Sequence, residues 1–388
     1  MKRLGIIGGG QLARMMGEEI QSKKLPVELI VLDPTINCPA SPFIAEQIVG
    51  NYDDPEKILE LASRDIEVIT FEIERTHPVL NSISERGIQV NPSPRTLEII
   101  KDKYVQYEFL RKHHLPLPDS EPVSTISDLE RISKTFGFPF MLKSRLGSYD
   151  GRGNFLLESS SDFVTALSYF GNNSIMAQKF VMFEQEISVI AARDTKGNIK
   201  TYKVGKNYHS SNILSRTIVG NNILPRSTEK NAREIAYETL KIFQGAGVFG
   251  IEMFQTNGEV LINEIAPRVH NSGHWTLGGS CKTSQFEQHI RAVFGMPLGD
   301  TDMLYDNAVM INLIGNSNFS GPYIIDGCQN ITDFKNYKAD LRLYGKQEVR
   351  PGRKIGHFTI YGNENIEKVV EYAQMIKDSL TFFPKELN

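Results

Sequence analysis

A chain of 388 residues exceeds the roughly 250 to 300 at which a single core stops growing, so two or three domains in close contact are expected, with room for a buried site between them. Hydrophobic residues at 40% and charged residues at 23% are ordinary globular usage and exclude a disordered or fibrous chain. Lysine and arginine number 43 against 46 acidic residues, which excludes the strongly basic balance of a nucleic-acid binder and points to a small-molecule substrate.

The start, MKRLGIIGGG, runs from two basic residues into an apolar strand and a glycine turn, unlike a secretory leader, and no later segment approaches the length of a membrane span. From residue 3 to 90, apolar runs at 4–8, 27–33 and 66–71 alternate with helical patterns after Gly10 and Pro55, the signature of a parallel, doubly wound α/β sheet. Asn91-Pro-Ser-Pro ends it. Ser93 and Pro94 then read as an N-cap and first helical residue of a long helix reaching about His114. Residues 118–194 read as α+β with mostly antiparallel strands at 140–143, 155–158, 175–181 and 186–193. The turn Lys196-Gly197-Asn198 suggests a hairpin, followed by a helix near 228–245 and a second hairpin joining 250–255 to 260–265. These two α+β units should face each other across a cleft. From about Asp300, strands at 309–314 and 354–361 and a helix at 365–379 read as a small accessory domain. Cys38, Cys281 and Cys328 stand in no CxxC or Cys/His spacing, so neither a disulfide framework nor a zinc site is expected, and a reducing cytoplasm fits.

Gly8-Gly9-Gly10-Gln11-Leu12-Ala13 matches G-x-G-x-x-A, with Asp33 closing the next strand. Physically this requires only that a phosphate can approach N–H groups at a helix N-terminus. A dinucleotide, a phosphorylated substrate and a purely structural turn all remain open. Lys143-Ser-Arg-Leu-Gly-Ser-Tyr-Asp-Gly-Arg-Gly153 is a strand running into a glycine loop that could fold backbone donors over phosphates, with Lys143 and Arg152 supplying charge; the alternative is a flexible hairpin tip. It lacks the Gly-Lys-Ser/Thr ending of a P-loop.

Glu252 and Glu264 lie on the two arms of a hairpin. A two-residue loop sends them to opposite faces, whereas a three-residue loop or a bulge sets them opposite one another, and the three-residue register is expected. Two carboxylates about 4 Å apart repel by roughly 4 kcal/mol at an effective dielectric near 20, so the pair calls for a cation, and oxygen ligands favour Mg²⁺. The alternative is two solvated carboxylates. The stretch Asn263-Glu-Ile-Ala-Pro-Arg-Val-His-Asn-Ser-Gly-His-Trp-Thr276 packs an arginine, two histidines and the only tryptophan directly after a strand, where loops carry function. Pro267 and Gly273 oppose a helical metal-binding face, so His270 and His274 read as substrate contacts. Finally, residues 346–357 gather Lys346, Arg350, Arg353, Lys354 and His357 around Pro351-Gly352, as a phosphate anchor or a solvated basic turn.

The strings NEIAPRVHNSGHWT, SYDGRG, GGGQLARM, TFEIE at 70–74 and RPGRKIGH together resemble the N5-carboxyaminoimidazole ribonucleotide synthetases, a family of ATP-grasp ligases, in order and spacing across nearly the whole chain. The first and last are specific to that family, whereas the strand lysine, glycine loop and paired glutamates are shared by ATP-grasp ligases at large. The resemblance implies an ATP-grasp fold combining α/β and α+β parts: a Rossmann-like preATP-grasp domain at 1–99, the ATP-grasp domain at 100–299 with a lid at about 118–194, and a small β-rich C-terminal domain at 300–388. It implies carboxylation of 5-aminoimidazole ribonucleotide by bicarbonate and ATP through carboxyphosphate, in purine biosynthesis.

On this chain the resemblance assigns nucleotide phosphates to Lys103, Lys143 and the loop Ser148, Tyr149, Asp150, Gly151, Arg152, Gly153 and Asn154. Adenine falls to Gln178, Lys179, Phe180 and Val181, the ribose to Glu186, and the rest of the pocket to His209 and Asn263. Mg²⁺ falls to Glu252 and Glu264, the latter also touching nucleotide. The ribonucleotide falls to Gln11, Glu72, Arg268 and His270, with Lys346 and Arg353 on its phosphate and with Tyr149, Arg152, Arg268 and His270 nearest the reacting atoms. A homodimer is implied, as is delivery of product to N5-carboxyaminoimidazole ribonucleotide mutase, with no nucleic-acid or membrane partner. Three positions depart from the common pattern: Gln178 where relatives carry glutamate, Lys103 where arginine also occurs, and Ala266 where the superfamily often has a metal-binding asparagine. The competing functions are a formate-dependent glycinamide ribonucleotide transformylase, a nicotinamide-dependent oxidoreductase and a nucleotide-binding regulator without catalysis.

Overall fold

The computed structural model describes residues 1–75, 77–147, 153–315 and 319–385. The N-terminal region alternates as its sequence does: β1 (Lys2–Ile7), α1 (Gln11–Lys23), β2 (Val27–Asp33), β3 (Glu46–Val49), α2 (Pro55–Ala62), β4 (Val68–Phe71), α3 (Val79–Glu85) and β5 (Gln89–Val90). Its strands pair in parallel in the order β3-β2-β1-β4-β5. Helices cover both faces of such a sheet, so its central strands are largely apolar, and every residue of β4 is buried.

Ser93 accepts from the Thr96 N–H and Pro94 opens the next helix, but the expected long helix is two, α4 (Pro94–Ile100) and α5 (Lys103–Lys112). Asp102 makes the break. Its backbone is extended, its carboxylate caps α5 through the N–H groups of Tyr104 and Val105, and it pairs with Arg145 at 2.7 Å. An aspartate serves a helix better as a cap than in its interior.

The lid comprises β6 (Ser120–Val123), α6 (Ile126–Phe136), β7 (Phe140–Ser144), β8 (Asn154–Leu157), α7 (Phe163–Phe170) and β9 (Ile175–Lys179). Its antiparallel sheet runs β6-β9-β7-β8 and, with the two helices, encloses a separate core around Leu129, Ile132, Phe140, Leu142 and Phe163. After it come β10 (Gln185–Arg193), β11 (Ile199–Thr201), β12 (Gly205–Ser210), β13 (Ile213–Gly220), α8 (Arg226–Ile242), β14 (Gly247–Thr256), β15 (Glu259–Ala266) and α9 (Gln285–Val293). The chain closes with β16 (Asn307–Ile314), β17 (Tyr323–Asp326), β18 (Tyr337–Leu343), β19 (Lys354–Gly362), α10 (Ile366–Asp378) and β20 (Thr381–Pro384).

Among the described residues, the large antiparallel sheet has the order β15-β14-β10-β12-β13-β16-β19-β18, with β11 beside β10. The C-terminal strands therefore continue the central sheet through the β13–β16 pairing. One core binds the regions together: Leu4, Met15 and Met16 pack in the same cluster as Ile190, Trp275 and Phe286 and as Met310, Tyr344 and Tyr361. Buried polar contacts pin the same junctions, with Thr70 Oγ1 2.8 Å from His289 Nε2 and Ser284 donating to Glu19 at 2.6 Å.

Candidate active site

Between the lid sheet and the large sheet lies a cavity of about 780 Å³. The β14–β15 hairpin forms its floor. The hairpin loop has two residues, Asn257-Gly258, both with left-handed φ (47° and 81°), as a tight primed turn requires. Alone that loop would set Glu252 opposite Asn263. Instead a bulge leaves Asn263 unpaired and sets Glu252 opposite Glu264, so the expected register arises from a bulge and not from a longer loop. The bulged Asn263 turns its Oδ1 to accept from Lys143 Nζ at 3.0 Å.

Burial and the neighbouring Glu264 push Glu252 up to about 7. Lys103, first residue of α5, brings its Nζ to 3.3 Å from Glu264. Lys143 enters from the lid strand β7, and burial together with Lys103 pushes it down to about 8. A buried carboxylate raised beside a second carboxylate, and a buried lysine lowered beside a second lysine, describe a site built around charges brought by ligands.

At the hinge end of the cavity, Gln178 and Lys179 close β9, and Phe180 and Val181 line the crossing to β10. Met141 and Phe254 supply apolar walls, and Phe183 stacks on Phe254 at 4.7 Å between centroids. Gln178 donates to Ser120 Oγ at 3.3 Å, which fixes its side chain within the lid. Glu186 and His209 form an ion pair across β10 and β12. Burial opposes a charged imidazole at His209, but the Glu186 carboxylate outweighs it and raises the pKa above the ordinary value.

The opposite end is built on the glycine turn. Glu72 accepts from the Gly10 N–H and, at 2.9 Å, from the Leu12 N–H, capping α1 with an internal carboxylate. A Cβ on Gly10 would stand 2.4 Å from Glu72 Oε1, so the glycine makes room for this cap. Asp33 is buried and accepts from the Gly9 N–H at 2.8 Å and Tyr52 Oη at 3.1 Å. The groups a dinucleotide would use for its pyrophosphate and ribose already have partners, which removes the support for a nicotinamide enzyme. Gln11 and Glu72 line the cavity.

Arg268 stands 2.9 Å from Glu74. Burial and Arg268 push His270 down to about 3, so its imidazole is neutral. Nδ1 lies 2.9 Å from Ser272 Oγ and 3.4 Å from the Ser272 N–H, and Nε2 stands 3.9 Å from Glu252 Oε1. The segment between β18 and β19 brings Lys346, Arg350 and Arg353 to the cavity, and Lys354, which opens β19, lies within electrostatic reach of Glu252, His209 and His270. Burial and Arg353 push Lys346 down to about 8.

Two histidines differ from expectation. His357 is fully buried, with Nδ1 3.0 Å from Tyr344 Oη, and stands apart from the basic cluster in the core. His274 is 1% exposed and belongs to the cavity's inner wall, its ring 4.8 Å from that of His357. The Asn154 side of the glycine loop reaches the cavity, whereas the Gly153 carbonyl accepts from the Ser144 N–H at 2.7 Å in the sheet. Ser148, Tyr149, Asp150, Gly151 and Arg152 lie outside the described residues. Glu74, Met141 and Phe254 line the cavity without having been singled out from the sequence, and Arg350, part of the expected basic cluster, lines it too. A charged residue two beyond Glu72 was the available signal for Glu74; the apolar walls alternate like any core strand.

A strand lysine facing paired glutamates across a cleft between two α+β units is the arrangement of an ATP-grasp ligase. Residues 108–286 match the ATP-grasp domain, residues 1–101 the ribonucleotide synthetase preATP-grasp domain, and residues 308–371 the phosphoribosylaminoimidazole carboxylase C-terminal domain. The N5-carboxyaminoimidazole ribonucleotide synthase of Brucella melitensis is 40% identical over 364 residues, covering 92% of this chain and 95% of that protein. The crystal structure of the synthetase from Thermotoga maritima superposes with a TM-score of 0.87 at 39% identity, over 99% of this chain and 100% of that one. The Aspergillus clavatus enzyme in complex with ADP and 5-aminoimidazole ribonucleotide gives 0.86 at 29% identity, over 97% and 98%. The chain belongs to the N5-carboxyaminoimidazole ribonucleotide synthase family, ATP-dependent ligases that carboxylate 5-aminoimidazole ribonucleotide in purine biosynthesis.

Proposed function

We propose that ATP, bicarbonate and 5-aminoimidazole ribonucleotide meet in this one cavity, the nucleotide at the hinge and the ribonucleotide at the glycine-turn end. The observation that carries the reading is the cavity's two polar groups: a carboxylate pair beside Lys103 and Lys143, and a basic group of Lys346, Arg350 and Arg353 on the wall shared with Gln11 and Glu72. Each group suits a different phosphorylated molecule. The apolar side chains of Met141, Phe180, Val181 and Phe254 line the cavity and suit an adenine ring, and Glu186, on the same wall, suits its ribose hydroxyls.

Glu252 and Glu264 fit a magnesium ion. Two carboxylates would leave most of the ion's coordination to phosphate oxygens of the nucleotide and to water, as is usual for Mg²⁺. When bound, the ion neutralises phosphoryl oxygens. Lys143 and Lys103 hold the phosphates from two sides, and ligand charge restores the protonation that burial disfavours in Lys143.

Bicarbonate is a poor electrophile. Its oxygen takes the terminal phosphoryl of ATP, releasing ADP and giving carboxyphosphate; the exocyclic amine then takes the carboxyl carbon, or the CO₂ it releases, and phosphate leaves. Arg268 and the Nε2–H of His270 act as donors to the carboxyl oxygens. With its proton on Nε2 and Nδ1 engaged, His270 is a hydrogen-bond donor and not a base. Lys346 and Arg353 anchor the ribonucleotide phosphate, and Glu72 with Gln11 positions its ring. Tyr149 and Arg152 contribute from the glycine loop. The chain acts as a cytoplasmic homodimer and passes its product to N5-carboxyaminoimidazole ribonucleotide mutase; a monomeric mass by light scattering would refute the dimer.

The test is ADP release with Mg²⁺, ATP and bicarbonate, with and without 5-aminoimidazole ribonucleotide, beside a reaction given glycinamide ribonucleotide and formate. Stimulation by the first substrate alone is expected. No stimulation by either would indicate a protein that binds ATP without this chemistry.

A further inference from the structure

Gln285 opens α9, is wholly buried, and is absent from the cavity lining. Its side-chain amide nevertheless makes three contacts with the loop that carries His270. Its Oε1 accepts from the His270 N–H at 2.9 Å, its Nε2 donates to the His270 carbonyl at 2.8 Å, and the same Nε2 lies 2.9 Å from His274 Nδ1. The first two contacts mimic a strand pairing with a single residue. They also fix the amide's orientation, because oxygen and nitrogen cannot be exchanged without setting like groups against each other. With Nε2 a donor, His274 Nδ1 must accept.

The surroundings are shaped to this clamp. A Cβ on Gly273 would lie 2.7 Å from Gln285 Oε1, and a Cβ on Gly250 would lie 2.4 Å from His270 Cβ. Thr276 Oγ1 accepts from the Gln285 backbone N–H at 3.0 Å while donating to the Gly273 carbonyl at 2.8 Å, which ties the start of α9 to the same loop. His270 stands between strand β14 below and Gln285 behind, with Nε2 aimed at the carboxylate floor.

We propose that Gln285 is a positioning residue for the carboxylation step: it holds the His270 backbone so that Nε2–H meets the reacting carboxyl group, and its amide, not only its bulk, is what the reaction needs. This rests on the role given to His270 above. Glutamate at this position keeps the size but sets an oxygen against the His270 carbonyl and against His274 Nδ1, so it breaks two of the three contacts.

The experiment compares Gln285→Glu, His270→Ala and the double variant in the full-length enzyme, measuring ADP release with and without 5-aminoimidazole ribonucleotide and the melting temperature. The expected result for Gln285→Glu is a loss of about 100-fold in ribonucleotide-stimulated kcat, with KM for ATP within about threefold of the parent. The double variant should be no slower than His270→Ala, because the two residues act as one unit. Losses that multiply in the double variant, or a parallel loss of ATP affinity, would make Gln285 merely structural and overturn the proposal. Should Gln285→Glu not fold, Gln285→Asn, which keeps the amide but retracts it by one methylene, carries the same expectation. If His270→Ala itself retains full activity, it is the assignment of His270 that fails.

Discussion

The lid and the rest of the molecule are held together by different means. The lid has its own sheet and its own core, with Phe140, Leu142 and Phe163 packed among lid residues only. In the body, strands and helices from both ends of the chain share one cluster and are pinned by buried polar contacts such as Thr70 with His289. Cavity-lining groups divide unequally between them: Glu252, Glu264, His270 and Lys346 belong to the body, while Lys143 and Gln178 come from the lid. Under the proposed assignment, a body that would hold the acceptor and a self-contained lid that would bring Lys143 to the phosphates suit a reaction that must exclude water yet admit three substrates.

The sharpest test of that division is at the floor. Glu264→Gln should lower turnover by about 1,000-fold, as loss of a metal-ligand charge does, while the melting temperature stays within a degree or two of the parent. Near-normal turnover would remove the magnesium assignment. Next in size are two matched core truncations. Phe286→Ala in the shared core and Phe140→Ala in the lid core should each cost about 3 to 5 kcal/mol. In hydrogen exchange the first should lower protection across the whole body and the second only within the lid. Equal loss of protection in both regions for Phe140→Ala would show that the lid is not an independent unit.

Acid should reach the body through a junction histidine. His289 is fully buried and pushed down to about 4 by burial, whereas an unfolded histidine titrates near 6.5. The unfolded chain therefore binds the extra proton first, so this contribution is fully present above pH 6.5 and is lost as pH falls from 6.5 towards 4, by about 1.4 kcal/mol per pH unit. His289→Gln should flatten that slope when melting temperatures are compared at pH 7.5, 5.5 and 4.5, and an unchanged slope would assign the acid lability to other groups. The smallest effect belongs to the lid surface. Thr125 and Asp128 form a capping box on α6, and Thr125→Ala should cost about 1 kcal/mol, seen as faster exchange in α6 with unchanged kcat.

The parts of the fold read correctly from the sequence are those whose signals are local. Apolar alternation and Gly8–Gly10 located the first strand and helix, and Ser93-Pro94 marked a helix start to the residue. The break at Asp102 was missed because its use depends on Arg145, 43 residues away. The hairpin β12–β13 and the strands β17, β18 and β20 were missed as well; β12 and β18 mix polar and apolar residues in strands that are buried only in part. In the site, the carboxylate pair was foreseen in register but not in cause, since a bulge leaves no unambiguous mark in sequence. Lys346 and Arg353 were found because charge clustered along the chain. Glu74 and Gln285 act through residues nearly 200 and 15 positions away respectively, and only folding brings them to their partners.

The continuity of the large sheet bears on how the chain can be cut. Strand β16 covers the side of β13 that would otherwise end the sheet, and β19 and β18 then extend it outward. A fragment stopping near residue 300 would retain both lysines and both glutamates of the nucleotide end but would bare the N–H and C=O groups along β13, whose Ile218 and Val219 are buried in the whole chain. An exposed, unprotected strand edge of that kind templates pairing with other chains. Such a fragment should collect in aggregates, and the C-terminal strands thus serve as the guard that keeps the lysine- and glutamate-lined end of the cavity in a soluble chain.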